Sequence, residues 1–318
     1  MKKLFTFFLL LMVLGAAAQP FNNEWIDFSK TYYKFKVGAN GIYRIPQSTL
    51  ASAGLGGVPA EQFQLFRNGQ EVPIYVTNGT GVMGSSDYIE FWGLMNDGVP
   101  DRPLYRNPAY QHTTQWSLET DTADYFLTVN PAGTSLRIKD VPNNVSGSPL
   151  TPEPYFMHTV GTYYKAIQNP GFAQVVGEYL YSSSYDMGEM WTSFKFGPNL
   201  VGTDNKTLPV YTGGPDASIK VGAVGCLDNP RTVQVTENGT VVTDTTMNSF
   251  NDMLITRPVP ISLIAGGISK IGYNDNCSLT SDRIVITFYE LTYPRKTDAG
   301  GQSAFTFSLP AKSAGYLL

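Results

Sequence analysis

Short runs of alternating apolar and polar residues cover most of the chain. At residues 33–37, Tyr, Phe and Val alternate with two lysines. Successive side chains of a strand point to opposite faces, so this alternation places the apolar residues on one face and the lysines on the other. Three Asn-Gly pairs follow such runs, at Asn40-Gly41, Asn68-Gly69 and Asn238-Gly239. Asn-Gly accepts the positive φ angles of a type I′ turn, so each pair predicts a β-hairpin.

Helical patterns are few and short. The clearest covers residues 46–53, where Pro46 lies in the first turn and Gly54 can end the helix. A weaker helical pattern at residues 169–176 contains both Pro170 and Gly171. The pattern therefore predicts an all-β chain with two consecutive β-sandwich-like domains and few short helices.

One run near the end is apolar or aromatic on both faces. Residues 283–293 read Arg-Ile-Val-Ile-Thr-Phe-Tyr-Glu-Leu-Thr-Tyr. Such a run is typical of a central strand that is covered on both sides. We expect a neighbouring domain to provide the second cover.

The first 18 residues have the pattern of a secretory signal. Lys2 and Lys3 precede an apolar run at residues 4–14, and Ala16-Ala17-Ala18 forms a small-residue cleavage site. The run is shorter than the roughly 20 residues that a membrane-spanning helix needs. The sequence therefore predicts export to the periplasm, the outer-membrane surface or the extracellular space, with no membrane span after cleavage.

The remaining chain divides at a segment rich in Pro, Asn and Ser. We expect an N-terminal β domain at residues 19–140, a linker at 141–155 and a second β-sandwich at 156–310. Residues 311–318 end in apolar side chains, and we interpret them as the start of a truncated continuation.

The charge balance excludes one class of partner. The chain has 22 Lys and Arg against 26 Asp and Glu, a net charge of −4, and no basic stripe. Nucleic-acid phosphates require clustered basic residues, so we expect no nucleic-acid binding.

Only two cysteines and two histidines occur in the chain. In an oxidising compartment Cys226 and Cys277 are expected to form a disulfide, which would stabilise the fold by roughly 3–4 kcal/mol through a loop of about 50 residues. The alternative is a reactive thiol paired with His112 or His158. The scatter of these residues predicts no catalytic site.

Carboxylates and aromatic rings are concentrated between residues 178 and 191. The candidate residues are Glu178, Tyr179, Tyr181, Tyr185, Glu189 and Trp191. They are compatible with packing in the core or against a neighbouring domain, with an aromatic platform for a ligand such as a sugar, or with a glycosidase-type carboxylate pair.

A second cluster of oxygen ligands surrounds Gly98. Asp97 and Asp101 are weak candidates for binding calcium, and an Asx turn is the alternative. No other cofactor is expected.

Several motifs, in order, resemble the N-terminal region of gingipain-type cysteine peptidases. They include Trp-Ile-Asp-Phe-Ser at 25–29, Gly-Ile-Tyr-Arg-Ile at 41–45, Ile-Glu-Phe-Trp-Gly at 89–93 and Tyr-Glu-Leu-Thr-Tyr-Pro at 289–294. Within that family the chain is most similar to the PorU-like sortases of the Bacteroidetes type IX secretion system.

The resemblance implies a supporting role. Such proteins carry β-rich domains before a caspase-like domain with a Cys–His pair, and the sortases process secreted cargo. The sequence contexts of Cys226 and Cys277 do not match that nucleophile. The resemblance therefore implies a non-catalytic region whose partners are a downstream catalytic domain, cargo proteins or other secretion-system components. The alternative is a standalone carbohydrate-binding or adhesion module at the cell surface.

Overall fold

The computed structural model describes most of the chain beyond the predicted signal. The described residues are 23–131, 135–140, 146–147, 150–175, 177–182, 185–198, 200–301, 305–310, 312 and 315–317. The predicted signal peptide, much of the predicted linker and several residues of 311–318 lie outside them. Within the described part, no helix combines the length and the apolar character that crossing a bilayer requires.

The fold class is all-β, as the alternating pattern predicts. Among the described residues there are two short α-helices, α1 at Gln47–Ser52 and α2 at Ile261–Ile264. Helix α1 matches the predicted one, since Pro46 precedes it and Gly54 adopts a φ of 80° after it. The weaker helical prediction at 169–176 is wrong, because Asn169 ends one strand, Ile167–Asn169, and the next strand is Gly171–Val175.

The chain forms two compact units. The first comprises the described residues of 1–96 and 120–142, and the second those of 97–119 and 143–318. Residues 97–119, which were expected to belong to the N-terminal domain, thus pack within the second unit.

The first unit contains seven strands in two antiparallel sheets. The strands are β1 (Tyr33–Val37), β2 (Gly41–Pro46), β3 (Phe63–Arg67), β4 (Gln70–Val72), β5 (Tyr75–Val76), β6 (Tyr88–Gly93) and β7 (Ala123–Val129). One sheet has the order β1-β7-β3-β4 and the other the order β2-β6-β5. Phe63 and Leu65 from one sheet and Ile89 and Phe91 from the other share a single buried core.

Two of the three predicted hairpins are present. Asn68-Gly69 joins β3 to β4 with φ angles of 49° and 76°. Asn40-Gly41 does not form a hairpin, because β1 pairs with β7 whereas β2 pairs with β6 in the other sheet. Asn40 instead accepts the backbone N–H of Met95 through Oδ1 at 2.8 Å.

The second unit is built around a sandwich of two four-stranded antiparallel sheets. The strands of this unit are β8 (Tyr155–Tyr163), β9 (Ile167–Asn169), β10 (Gly171–Val175), β11 (Glu178–Ser182), β12 (Met190–Thr192), β13 (Val201–Thr207), β14 (Ala217–Gly225), β15 (Pro230–Glu237), β16 (Thr240–Asn248), β17 (Asp252–Val259), β18 (Ile268–Asn276) and β19 (Ile284–Lys296). The orders of the two sheets are β17-β14-β19-β8 and β13-β18-β15-β16, and two further pairs, β10-β11 and β12-β9, lie outside them. Asn238-Gly239 forms the third predicted turn, between β15 and β16.

Strand β19 is central and covered on both faces, as predicted. Tyr289 and Leu291 point into the sandwich core. On the other face, His112 contacts Thr287 at 3.1 Å, and Trp116 donates to the carbonyl of Tyr163 on the neighbouring strand β8. The second cover is therefore this chain's own segment 97–119, and the expectation of an outside cover is wrong.

Candidate functional site

Three aromatic rings of the β10-β11 hairpin form a stack with a fourth ring, that of Phe250. Phe172 lies opposite Tyr181 in the register, with ring centroids 4.7 Å apart. Phe250 stacks beneath Phe172 at 4.0 Å with an interplanar angle of 20°, and Tyr179 contacts Phe250 at 5.2 Å. We call Phe172, Tyr179, Tyr181 and Phe250 the aromatic stack.

The aromatic stack has a buried base and an exposed top. Phe172 is 8% exposed, whereas Tyr181 is 71% exposed. Tyr179 and Tyr181 alternate along β11 with Glu178 and Leu180, which are also exposed. A flat ring held on a rigid base can stack on a sugar or on an aromatic or apolar side chain, while its hydroxyl remains available for hydrogen bonding.

The other three predicted residues hold segment 97–119 in place. Tyr185 donates its hydroxyl to Glu119 Oε1 at 2.5 Å, and the Trp191 indole donates to the carbonyl of Ser117 at 2.9 Å. Tyr105 donates to the carbonyl of Glu189 at 2.5 Å. These contacts favour the packing interpretation for Tyr185, Glu189 and Trp191.

The carboxylates near this segment are also engaged locally. Asp186 is buried and pairs with Arg106 at 2.9 Å. Glu189 accepts the backbone N–H of Asp186 through Oε2, and burial raises the pKa of its carboxyl. Glu178 lies apart from this network, on the exposed hairpin. Nothing in these contacts arranges two carboxylates around an open sugar site.

The loop at Asp97 and Asp101 uses its oxygens for its own chain. Asp97 Oδ1 accepts the N–H of Val99 at 3.1 Å, which is an Asx turn. Asp101 is 4% exposed and accepts from the Ser117 hydroxyl at 3.0 Å and the Leu118 N–H at 2.7 Å. A calcium ion would have to replace contacts that hold this loop, so calcium binding here stays a prediction.

The predicted disulfide is absent, because Cys226 and Cys277 are both free thiols. Cys226 follows β14 and Cys277 follows β18, and these strands belong to different sheets. The Cys226 sulfur lies 3.6 Å from Asn169 Oδ1, whereas the Cys277 sulfur lies 3.2 Å from Asn229 Nδ2. Burial raises the pKa of Cys226 to about 11, which opposes thiolate formation.

Both histidines have partners other than a thiol. His112 Nε2 lies 2.9 Å from Asp252 Oδ2 and its Nδ1 lies 3.1 Å from the Thr287 hydroxyl. This set has the order of a hydroxyl–imidazole–carboxylate relay, but Thr287 is fully buried and a substrate cannot reach it. His158 packs among aromatic rings, including Tyr293, and burial lowers its pKa.

No family model and no curated protein matches this chain. Among solved structures it is similar to dimeric latent PorU from Porphyromonas gingivalis, with 14% identity and a TM-score of 0.47 over 83% of this chain and 24% of that one. It is also similar to the carbohydrate-binding module CBM36 in complex with calcium and xylotriose, with 11% identity and a TM-score of 0.27 over 42% of this chain and 98% of that one.

A third similar structure is the β-porphyranase BpGH86A from the human gut bacterium Bacteroides plebeius. Its identity is 10% and its TM-score 0.27, over 86% of this chain and 36% of that one. This chain spans about a quarter of the length of the PorU chain described above.

Sequence reasoning missed half of the aromatic stack. Phe172 lies beside Pro170 and Gly171, which obscure the strand pattern of β10. Phe250 follows strand β16, far along the chain from the hairpin, and no local pattern connects it to Tyr179.

Proposed function

We propose that this chain is an exported, non-catalytic β region that supports a downstream gingipain-type catalytic domain and takes part in cargo processing. The ordered sequence motifs at residues 25–29, 41–45, 89–93 and 289–294 support the family assignment. The role assignment depends on one structural observation: among the described residues, the thiols and the imidazoles each have separate partners.

A cysteine peptidase or sortase needs a thiolate that a nearby base or cation stabilises. Here Cys226 contacts Asn169, Cys277 contacts Asn229, and His112 contacts Asp252. Burial also raises the pKa of Cys226 instead of lowering it. The Cys–His chemistry of the family would therefore come from another domain.

The test compares this chain with a longer product of its gene. Each is incubated with a cargo peptide that carries a C-terminal sorting signal, and cleavage and transfer are measured by mass spectrometry. We expect no turnover by this chain and turnover by the longer product, including its Cys226→Ser and Cys277→Ser variants. The proposal would be overturned if the short chain turns over the peptide and its Cys226→Ser variant does not.

The aromatic stack favours a second candidate function, carbohydrate binding or adhesion at the cell surface. Tyr181 offers an exposed ring on a buried base, which suits the apolar face of a sugar. Glycan-array screening followed by titration calorimetry tests this function. Tyr181→Ala should abolish binding, whereas Tyr211→Ala, which removes one ring of the stacked pair Tyr155 and Tyr211, should leave it unchanged. Binding that survives Tyr181→Ala would refute the assignment to this surface.

A further inference from the structure

Three potential metal ligands converge near the start of strand β19. Asp275 is the penultimate residue of β18, Cys277 follows the end of that strand, and Asp282 precedes β19. One carboxylate oxygen from each aspartate and the cysteine sulfur all lie within 4.8 Å of one another. The short connection between the two strands thus brings two hard ligands and one soft ligand together.

Asp275 is the unusual member of this group. Its side chain is buried, with the residue only 3% exposed, and within the described part of the chain no donor group bonds either carboxylate oxygen, which lies beside the carboxyl group of Asp282. An ionised carboxylate in such surroundings is unfavourable unless a cation pairs with it or a proton neutralises it. The structure therefore presents an unmet requirement for positive charge at a defined position.

Arg231 does not meet this requirement, because it is occupied by Asp282. Its Nε and Nη2 donate to the two oxygens of Asp282 at 2.7 and 3.0 Å. Its remaining donors bond the carbonyls of Ser249 and Leu227. The other nearby guanidinium, that of Arg283, donates to backbone carbonyls, including that of Thr280.

Cys277 provides the third ligand and a route for entry. Cys277 is only partly buried, whereas Asp275 and Asp282 are both buried. The sulfur of Cys277 lies 3.2 Å from Asn229 Nδ2 and 3.6 Å from the carbonyl of Pro230. An ion could approach from the side of the sulfur and then contact the buried carboxylates.

We propose that Asp275, Asp282 and Cys277 bind a divalent cation of the zinc class. Two carboxylates and a thiolate carry three negative charges and the buried Arg231 carries one positive charge, so a divalent ion balances the charge of these four side chains, while Arg283 is exposed to solvent. Zinc accepts both thiolate and carboxylate ligands and is usually bound by only four ligands in total. Calcium requires six or more oxygen ligands, which this cluster does not offer.

The experiment uses the full chain after removal of metal with a chelator. Zinc alone is added, and binding is measured by competition with a chromophoric chelator and by the rise in melting temperature. We expect Asp275→Asn and Cys277→Ser to weaken zinc binding by at least about tenfold, since each removes one ligand. Cys226→Ser is the matched thiol control, because the Cys226 sulfur contacts Asn169 Oδ1 and is not one of the three converging ligand atoms. This variant should bind zinc like the parent chain.

Cobalt provides a second readout that does not depend on stability. Bound Co²⁺ should show a thiolate charge-transfer band in the near ultraviolet, and Cys277→Ser should lose it while Cys226→Ser keeps it. Circular dichroism of each variant establishes that it is folded, and Asp275→Asn is expected to fold because it removes an unpaired buried charge.

Several results would overturn the proposal. These are the absence of zinc binding, unchanged binding by Asp275→Asn, or an equal loss in Cys226→Ser. A calcium effect that persists in Cys277→Ser would refute the thiolate ligand. Stabilisation by mild acid without any response to zinc would mean that a proton, and not a metal ion, neutralises Asp275.

Discussion

The buried ion pair between Arg231 and Asp282 provides the sharpest test of the packing in the second unit. Both side chains are 0% exposed. We predict that Arg231→Met, which retains apolar volume, lowers the free energy of unfolding of this unit by about 3–5 kcal/mol, the usual effect of removing one partner from a buried pair.

The magnitude follows from the bonds that are lost. Arg231 donates twice to Asp282 and once each to the carbonyls of Ser249 and Leu227. Without it Asp282 remains buried and charged, close to Asp275. A domain of this kind has a total stability of about 5–15 kcal/mol, so the loss would be a large share of the total.

The assay is urea denaturation at neutral pH in the presence of a chelator, followed by tryptophan fluorescence. Trp116 and Trp191 lie in the second unit, whereas Trp25 and Trp92 lie in the first. Replacing Trp25 and Trp92 by Phe therefore makes the signal specific for the unit that contains Arg231.

Two controls separate the ion pair from a general loss of arginine. Arg257 is exposed and donates to the carbonyl of Thr256, so Arg257→Ala should change stability by less than about 0.5 kcal/mol. Adding Asp282→Asn to Arg231→Met removes the unpaired charge and should recover at least about 1 kcal/mol. The reasoning fails if Arg231→Met costs less than about 1 kcal/mol or if the double variant is no more stable than the single one.

Three further predictions concern other parts of the second unit. Burial raises the pKa of Glu237 above its ordinary value of 4.5. As the pH rises above 4.5, the unfolded chain releases this proton before the folded chain does, so the free energy of unfolding falls until the folded chain has released it too. Glu237→Gln should remove this loss. Urea titrations at several pH values should show that the substitution raises the free energy of unfolding near neutral pH but not in acid. A Cβ at Gly161 would lie 2.0 Å from the carbonyl oxygen of Tyr289, so Gly161→Ala should lower the free energy of unfolding by about 1–3 kcal/mol, measured by denaturation. Burial raises the pKa of Cys226 to about 11. The Cys277→Ser variant, whose one thiol is Cys226, should therefore react with an aromatic disulfide reagent more slowly than the Cys226→Ser variant, whose one thiol is Cys277.

Each of these predictions has a control or a clear failure. A Cβ at Gly266 would meet no heavy atom within 4 Å beyond its own chain neighbours, and Gly266→Ala should leave stability nearly unchanged. Equal costs at Gly161 and Gly266 would contradict the steric argument. A pH-independent effect of Glu237→Gln, or equal reaction rates of the two single-cysteine variants, would contradict the two electrostatic arguments.

The sequence by itself determined the features that depend on a few neighbouring residues. Asn68-Gly69 and Asn238-Gly239 form their turns because these residues accept positive φ angles locally. Helix α1 begins after Pro46 and ends near Gly54 for the same kind of reason. The apolar character of both faces of β19 likewise predicted a central strand, and the alternating pattern predicted the all-β class.

Only the tertiary structure decided which distant residues meet. Asn40-Gly41 has the same local preference as the other pairs, but its flanking strands pair with different sheets. Segment 97–119 covers β19, Phe250 completes the aromatic stack, and Asp275 lies close to Asp282. Cys226 and Cys277 remain free thiols. Local backbone preference acts over a few residues, whereas these contacts depend on how whole sheets bury their apolar faces, which no short pattern in the chain encodes.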